Sequence, residues 1–261
     1  MISNNGVNAF SLEQSIYLED KKGFVEENKV FFKKGGFFWN LHEKSRDSHV
    51  KSGGTLEQYL NKKYEKLSDF FYGFFRFSNG LKVNGLENLD GLKDSGCVVV
   101  ANHKSALDPF YASCALKDWG KKIRWISKIE NFQGNDLFKI FLEIGGAIPL
   151  SCERKLTDYA HMRICEALGK NEGVGIFPEG TRNKSGELAE FHSGAARMCI
   201  ENNVPYIPVA LIGKTKPFCG KVTVNVGCPV YLDDVSLDYD SCKSASGDMR
   251  QRIVELLDFC L

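Results

Sequence analysis

Two short runs hold most of the residues able to do chemistry. The first is VVVANHKSALDP, in which His103 precedes Asp108 with four residues between them. An imidazole held by a carboxylate is a general base that can take a proton from a hydroxyl. The spacing alone is a weak signal, because His42 and Asp47 repeat it within LHEKSRDSH. On one continuous helix, residues five apart lie about 140° apart around the axis and cannot meet. The apolar run before His103 predicts a strand closing at Ala101. Asp108-Pro109 predicts a helix N-cap followed by proline at the first helical position. Asn102 to Leu107 then form a loop at the carboxyl end of a strand, where open α/β sheets build their sites. The competing readings are a structural histidine and a plain helix cap. LHEKSRDSH has neither a strand before it nor an Asp-Pro start after it, and it reads as solvated surface.

The second run is VGIFPEGTRN, from Val174 to Asn183. It predicts a strand entering a turn in which Pro178 and Gly180 set the backbone and allow a ligand to approach closely. Thr181 adds a hydroxyl, and Arg182 adds a rigid five-donor fork suited to phosphate. Glu179 is placed to orient the Arg182 guanidinium or a substrate hydroxyl. A turn carrying a surface ion pair is the simpler reading of Pro-Glu-Gly by itself. Against it, this run also follows a strand end, so the two constellations can share one rim.

The elements that must position these runs are legible from hydrophobic periodicity. Strands are predicted at Leu81–Val83, Cys97–Ala101, Ile123–Ser127, Ala147–Leu150, Val174–Phe177, Tyr206–Ile212 and Val222–Val226. Helices are predicted from Pro109 to Lys117, Asp136 to Leu142, Thr157 to Leu168, Ser193 to Glu201 and Gly247 to Phe259. This alternation predicts an α/β fold, a mixed and largely parallel sheet flanked by helices. An amphipathic helix from Leu56 to Ser78 precedes it. On that helix Leu60, Tyr64, Leu67, Phe71, Phe74 and Phe75 share one stripe of about 100°, with Lys62, Lys63 and Lys66 to one side. The stripe fits docking into a membrane interface and equally a core-facing helix. The chain divides into an extension of unassigned role (1–54), this helix (55–80) and the main domain (81–261). Lys51 to Gly54 reads as a linker. FFKKGGFFW, from Phe31 to Trp39, mixes aromatics with lysines, as an interfacial contact or a short strand or loop packed on the domain would.

Bulk properties bound the function. The chain has 261 residues and a formal net charge of +1, so nucleic acid is not expected as a partner. Its nine cysteines form no C-x-x-C pair, which fits dispersed buried thiols in a reducing cytosol. The polar N-terminus does not read as a signal peptide, and no apolar run reaches the ~18 residues that span a bilayer.

NHKSALDP, then FPEGTRN, then VPYIPVALIG (Val204 to Gly213) resembles, in block order, the lysophosphatidate acyltransferase family of glycerolipid acyltransferases. The resemblance covers residues 80 to 230. It implies His103 as catalytic base and Asp108 as its orienting carboxylate. It implies that Glu179, Gly180, Thr181 and Arg182 bind the glycerol phosphate, with Pro208 supporting the site. GGAIPLSCER corresponds to a further glycine-to-arginine block, which makes Arg154 a phosphate ligand although it falls two residues late. Where the family often carries lysine before a glycine-alanine pair, this sequence has Ser193, with His192 adjacent. The implied reaction moves a fatty acyl group from acyl-CoA or acyl carrier protein onto the free hydroxyl of 1-acylglycerol 3-phosphate. It needs no metal and no bound cofactor. It implies a lysophospholipid acceptor and a protein lying on the cytoplasmic face of a membrane.

Three other readings stay open at this stage. The acceptor can be glycerol 3-phosphate or another lysolipid. Ser105 beside His103 suggests a hydrolase, although no G-x-S-x-G elbow occurs. A lipid-binding module without turnover would keep the fold but has no use for a base.

Overall fold

The computed structural model describes residues 37–133, 136–150, 154–183 and 187–259. Seven strands form one sheet: β1 (Lys82–Asn84), β2 (Cys97–Ala101), β3 (Ile123–Lys128), β4 (Ile148–Leu150), β5 (Gly173–Ile176), β6 (Tyr206–Gly213) and β7 (Val222–Val226). Their order is β1-β7-β6-β2-β5-β3-β4. All neighbours run parallel except β6 and β7. Each lies within a residue or two of its predicted span, because valine-rich and isoleucine-rich runs between glycine-containing turns fit a sheet buried on both faces.

Alternation along β2 shows how the layers are made. Val99 and Ala101 face one core, which holds Phe75, Tyr111, Trp125 and Leu211. Val98 and Val100 face the other, which holds Ile164, Ala195, Met249 and Ile253. Helices α2 (Leu56–Asn79) and α3 (Asp108–Ala115) cover the first face; α5 (Arg154–Gly169), α6 (Gly194–Asn202) and α7 (Tyr239–Asp258) cover the second. Between β3 and β4 runs α4 (Asp136–Gly145), and α1 (Phe37–Lys51) precedes α2.

The stripe on α2 faces inward. Phe75 is buried and stacks on Tyr111 at 3.9 Å, while Phe71 and Phe74 pack against the same core. Of the two readings its periodicity allowed, the core-facing one holds for this stripe, and Lys62, Lys63 and Lys66 are exposed beside it. Thr55 and Gln58 close a capping box at the start of α2, and Gly80 ends it in the left-handed conformation. Of the predicted linker, Ser52 to Gly54 form the short turn before α2, and Lys51 is the last residue of α1.

Two sequence expectations change. LHEKSRDSH is part of α1, where Asp47 is exposed but Arg46 is buried and donates to Glu143 of α4 at 2.7 Å. The last helix starts at Tyr239, well before Gly247. Asp238 caps it by accepting from the Ser241 amide at 2.9 Å, and burial of Cys242 and Ala245 holds the polar turns in place. Phe31 to Gly36 lie outside the described residues, as do the side chains of Phe37 to Trp39.

Candidate active site

The sheet register brings the two runs together. Val100 of β2 pairs with Ile176 of β5, so the chain leaves both strands side by side at their carboxyl ends. His103 follows one strand and Phe177 to Arg182 follow the other. The other pair at this spacing, His42 and Asp47, falls on the backbone of the single helix α1 rather than across a strand-to-helix loop.

His103 Nδ1 lies 2.9 Å from Asp108 Oδ2. That same oxygen accepts the Lys104 amide at 2.6 Å and the Ser105 amide at 2.7 Å. The other oxygen accepts the Thr215 hydroxyl. With its other three partners all donating, Asp108 acts as an acceptor, and the hydrogen on His103 belongs on Nδ1. Nε2 is left with its lone pair for substrate. Asp108 is not the N-cap its sequence suggests. It is the first residue of α3 and points back into the loop, and Leu107 occupies the cap position with no side-chain bond.

The imidazole is also fixed from the side. It stacks on Phe177 at 4.1 Å, and Phe177 stacks on Trp125 at 4.6 Å. Gly175 leaves room for this, because a Cβ there would meet the Trp125 ring at 2.5 Å. Trp125 Nε1 donates to Ser113 at 2.8 Å, locking the end of the stack.

Glu179 does different work from orienting Arg182. Its side chain is buried; Oε1 accepts the His103 amide at 2.7 Å and Oε2 the Ala189 amide at 3.2 Å. The His103 carbonyl accepts from the Asn183 amide at 2.8 Å. Both backbone groups of His103 are thereby tied to the second run. A buried carboxylate is tolerable there because backbone donors replace its water.

A cavity of about 970 Å³ opens on this rim, lined by His103, Gly180, Thr181 and Arg182. Gly180 has φ +67°, and its bare Cα lets the His192 ring approach, where a Cβ would meet it at 3.1 Å. Arg182 lines this rim, and among the described residues no carboxylate or carbonyl engages its guanidinium. Away from the rim the walls are apolar: Tyr64, Leu67 and Phe71 from α2, with Phe110, Phe141 and Leu142. Phe71, Phe110 and Phe141 pack as a triangle with centroids 5.3 to 5.7 Å apart. A polar rim with an anion fork and a base, opening on an aromatic chamber, suits a ligand with a charged head and a long apolar tail.

Ser105 and Cys114 are poorly placed as nucleophiles. The Ser105 hydroxyl donates to the Thr215 carbonyl at 3.2 Å and accepts from the Leu107 amide, as a turn serine does. Cys114 also lines the cavity, but burial pushes its thiol up to about 12. Arg154 opens α5, and its side chain is outside the described residues. Pro208 lies in β6 opposite Val100, one strand from the base.

Sequence reasoning passed over three contributors. Thr215 is distant along the chain and lies in a loop with no chemical signature. Phe177 reads as an ordinary strand residue. Asn102 bridges β2 to β6 by exchanging two bonds with the Leu211 backbone, at 2.7 and 3.0 Å, yet in sequence it is only a loop polar residue.

The chain has known relatives. Residues 80–212 match the family model described as Acyltransferase, and the chain belongs to that family. It is 33% identical over 172 residues to the chloroplastic 1-acyl-sn-glycerol-3-phosphate acyltransferase BAT2 of Brassica napus, covering 62% of this chain and 48% of that protein. It is 24% identical over 187 residues to the 1-acyl-sn-glycerol-3-phosphate acyltransferase of Borreliella burgdorferi, covering 67% and 71%. The chain thus spans about half the length of the Brassica relative. The crystal structure of the 1-acyl-sn-glycerophosphate acyltransferase PlsC from Thermotoga maritima superposes with a TM-score of 0.58 over 95% of this chain and 92% of that one, at 22% identity. That likeness shows the fold.

Proposed function

We propose that this protein transfers a fatty acyl group from an acyl thioester to the free hydroxyl of 1-acylglycerol 3-phosphate, forming phosphatidic acid. The observation that carries the reading is the His103–Asp108 pair at 2.9 Å on the rim of a cavity that also presents Arg182. In this reading His103 Nε2 takes the proton as the acceptor hydroxyl attacks the thioester carbonyl. The tetrahedral intermediate collapses with loss of the thiolate, to which the imidazolium returns the proton. Arg182, with Thr181 beside the Gly180 turn and with Arg154, holds the phosphate so that the hydroxyl points at the base. Fixing the two reactants in this way can supply roughly 7 to 11 kcal/mol at the extreme. Glu179 acts on the base rather than on substrate, by holding the backbone of His103.

Acyl-CoA or acyl carrier protein is the donor, its chain lying against Phe71, Phe110 and Phe141. No cofactor or metal takes part in the scheme. The names of the relatives above support the acceptor. The protein works from the cytoplasmic face of a membrane as a peripheral enzyme. Among the described residues no helix is long and apolar enough to cross one.

The test is a panel of acyl donors and acceptors incubated with purified protein, with lipid products scored. Phosphatidic acid formed from lysophosphatidate supports the reading. Acylation of glycerol 3-phosphate instead would move the acceptor. Free fatty acid together with a trapped acyl-serine would mean a hydrolase.

A further inference from the structure

Outside the cavity, four aromatic rings form a band on the surface. Phe70 is 64% exposed, Phe77 83% and Phe218 68%, and half-buried Phe74 links them. Phe74 lies 6.3 Å from Phe70 and 6.1 Å from Phe218, and Phe218 lies 6.5 Å from Phe77. Exposed rings in contact are unusual on a surface that faces only water. Phe70 and Phe77 lie on the face of α2 beside the stripe buried in the core, and Phe74 joins this face to the stripe.

Two more observations point to an occupant. The segments carrying these rings, FFYGFFRFSN (70–79) and GKTKPFCGK (213–221), contain no acidic residue. They contribute Arg76, Lys214, Lys216 and Lys221, all exposed. Phe218 also holds φ +60°, a left-handed conformation that costs a bulky side chain free energy. The loop thus presents an apolar ring at its tip against its own backbone preference. Asn79 makes the two segments one rigid face: its Nδ2 donates to the carbonyls of Lys216 and Gly220 at 2.9 and 2.8 Å, and the Tyr111 hydroxyl donates to its Oδ1 at 2.7 Å.

We propose that Phe70, Phe77 and Phe218, with Arg76, Lys214, Lys216 and Lys221, form the surface by which this protein docks on an anionic lipid bilayer. Rings enter the headgroup boundary and the cations meet lipid phosphates. The choice of a bilayer over a protein partner rests on the lipid reading of the cavity and on the charge of the patch. The same loop carries Thr215, which bonds Asp108, so the docked face is continuous with the groups that hold His103.

The experiment is vesicle sedimentation of the full chain. The vesicles are phosphatidylcholine with or without phosphatidylglycerol. The variants are Phe77→Ser with Phe218→Ser and, as a control at other exposed rings, Tyr239→Ser with Phe259→Ser. The first pair should weaken partitioning by about tenfold or more through lost apolar burial. Its Tm and its acylation of detergent-dispersed lysophosphatidate should stay unchanged. The control pair should bind as the parent does. Added salt should weaken binding of the parent only on vesicles containing phosphatidylglycerol. The inference is overturned if the parent does not sediment with anionic vesicles, if the first pair binds as well as the parent, or if the control loses as much. It is equally overturned if the first pair abolishes self-association and leaves vesicle binding intact. Ring-dependent binding by a protein that transfers no acyl group would support this surface and sink the proposed reaction instead.

Discussion

Glu179 Oε1 accepts the backbone amide of His103 at 2.7 Å, joining the two loops that leave β2 and β5. The bond turns the role suggested by Pro-Glu-Gly-Thr-Arg inside out. The Glu179 carboxylate is buried against the His103 backbone, and among the described residues no carboxylate engages Arg182. One side chain thus ties the His103 loop to the loop that carries Arg182.

Glu179→Gln should therefore act on kcat more than on acceptor KM. An amide side chain can accept only one of the two backbone N–H groups, so a buried donor is left unpaired at a cost of about 1 to 3 kcal/mol. Thermal melts should show a lower Tm, and steady-state kinetics a lower kcat with acceptor KM little changed. A selective rise in acceptor KM at unchanged Tm would return Glu179 to the substrate.

Thr215→Val removes a hydroxyl bonded to Asp108 while keeping its volume. A hydrogen bond to a charged group contributes about 1.5 to 3 kcal/mol, so kcat should fall by about tenfold with both KM values nearly unchanged. Thr215→Ser should recover most of the loss. A valine variant with full turnover would remove Thr215 from the set that positions the base.

Arg182→Lys keeps the charge but loses the two-pronged geometry. Acceptor kcat/KM should fall while donor affinity stays the same. Unchanged acceptor kinetics with weakened donor binding would place Arg182 at the donor thioester.

Much of this was legible in the sequence, and the exceptions share a cause. The strands were readable because a sheet buried on both faces demands short runs such as CVVVA and YIPVALIG, and the His103 loop was readable because it follows one of them. Asp108 pairs with His103 as the sequence suggests but does not cap the helix: local propensity favours a cap, and the loop amides of Lys104 and Ser105 compete for the same carboxylate. Gly247 suggests a helix start, whereas burial of Cys242 and Ala245 before it and of Met249 and Ile253 after it carries α7 across the glycine. The α2 stripe had no local feature to tell core from membrane. Phe70 and Phe77 stay exposed because Phe75 is the ring that stacks on Tyr111 in the core. Thr215 and Asn102 work through partners more than a hundred positions away, which periodicity and spacing cannot report.

The most direct test of the account compares two histidines that share one spacing. Initial rates of phosphatidic acid formation are measured with acyl-CoA and lysophosphatidate for the parent, His103→Ala and His42→Ala. His103 is held by Asp108 and stacked on Phe177 at the cavity rim, so its alanine variant should lose at least ~100-fold in turnover. His42 lies with Asp47 on the single helix α1, and its variant should keep the parent rate. Retained activity in His103→Ala, or equal losses in the two variants, would contradict the assignment of the base.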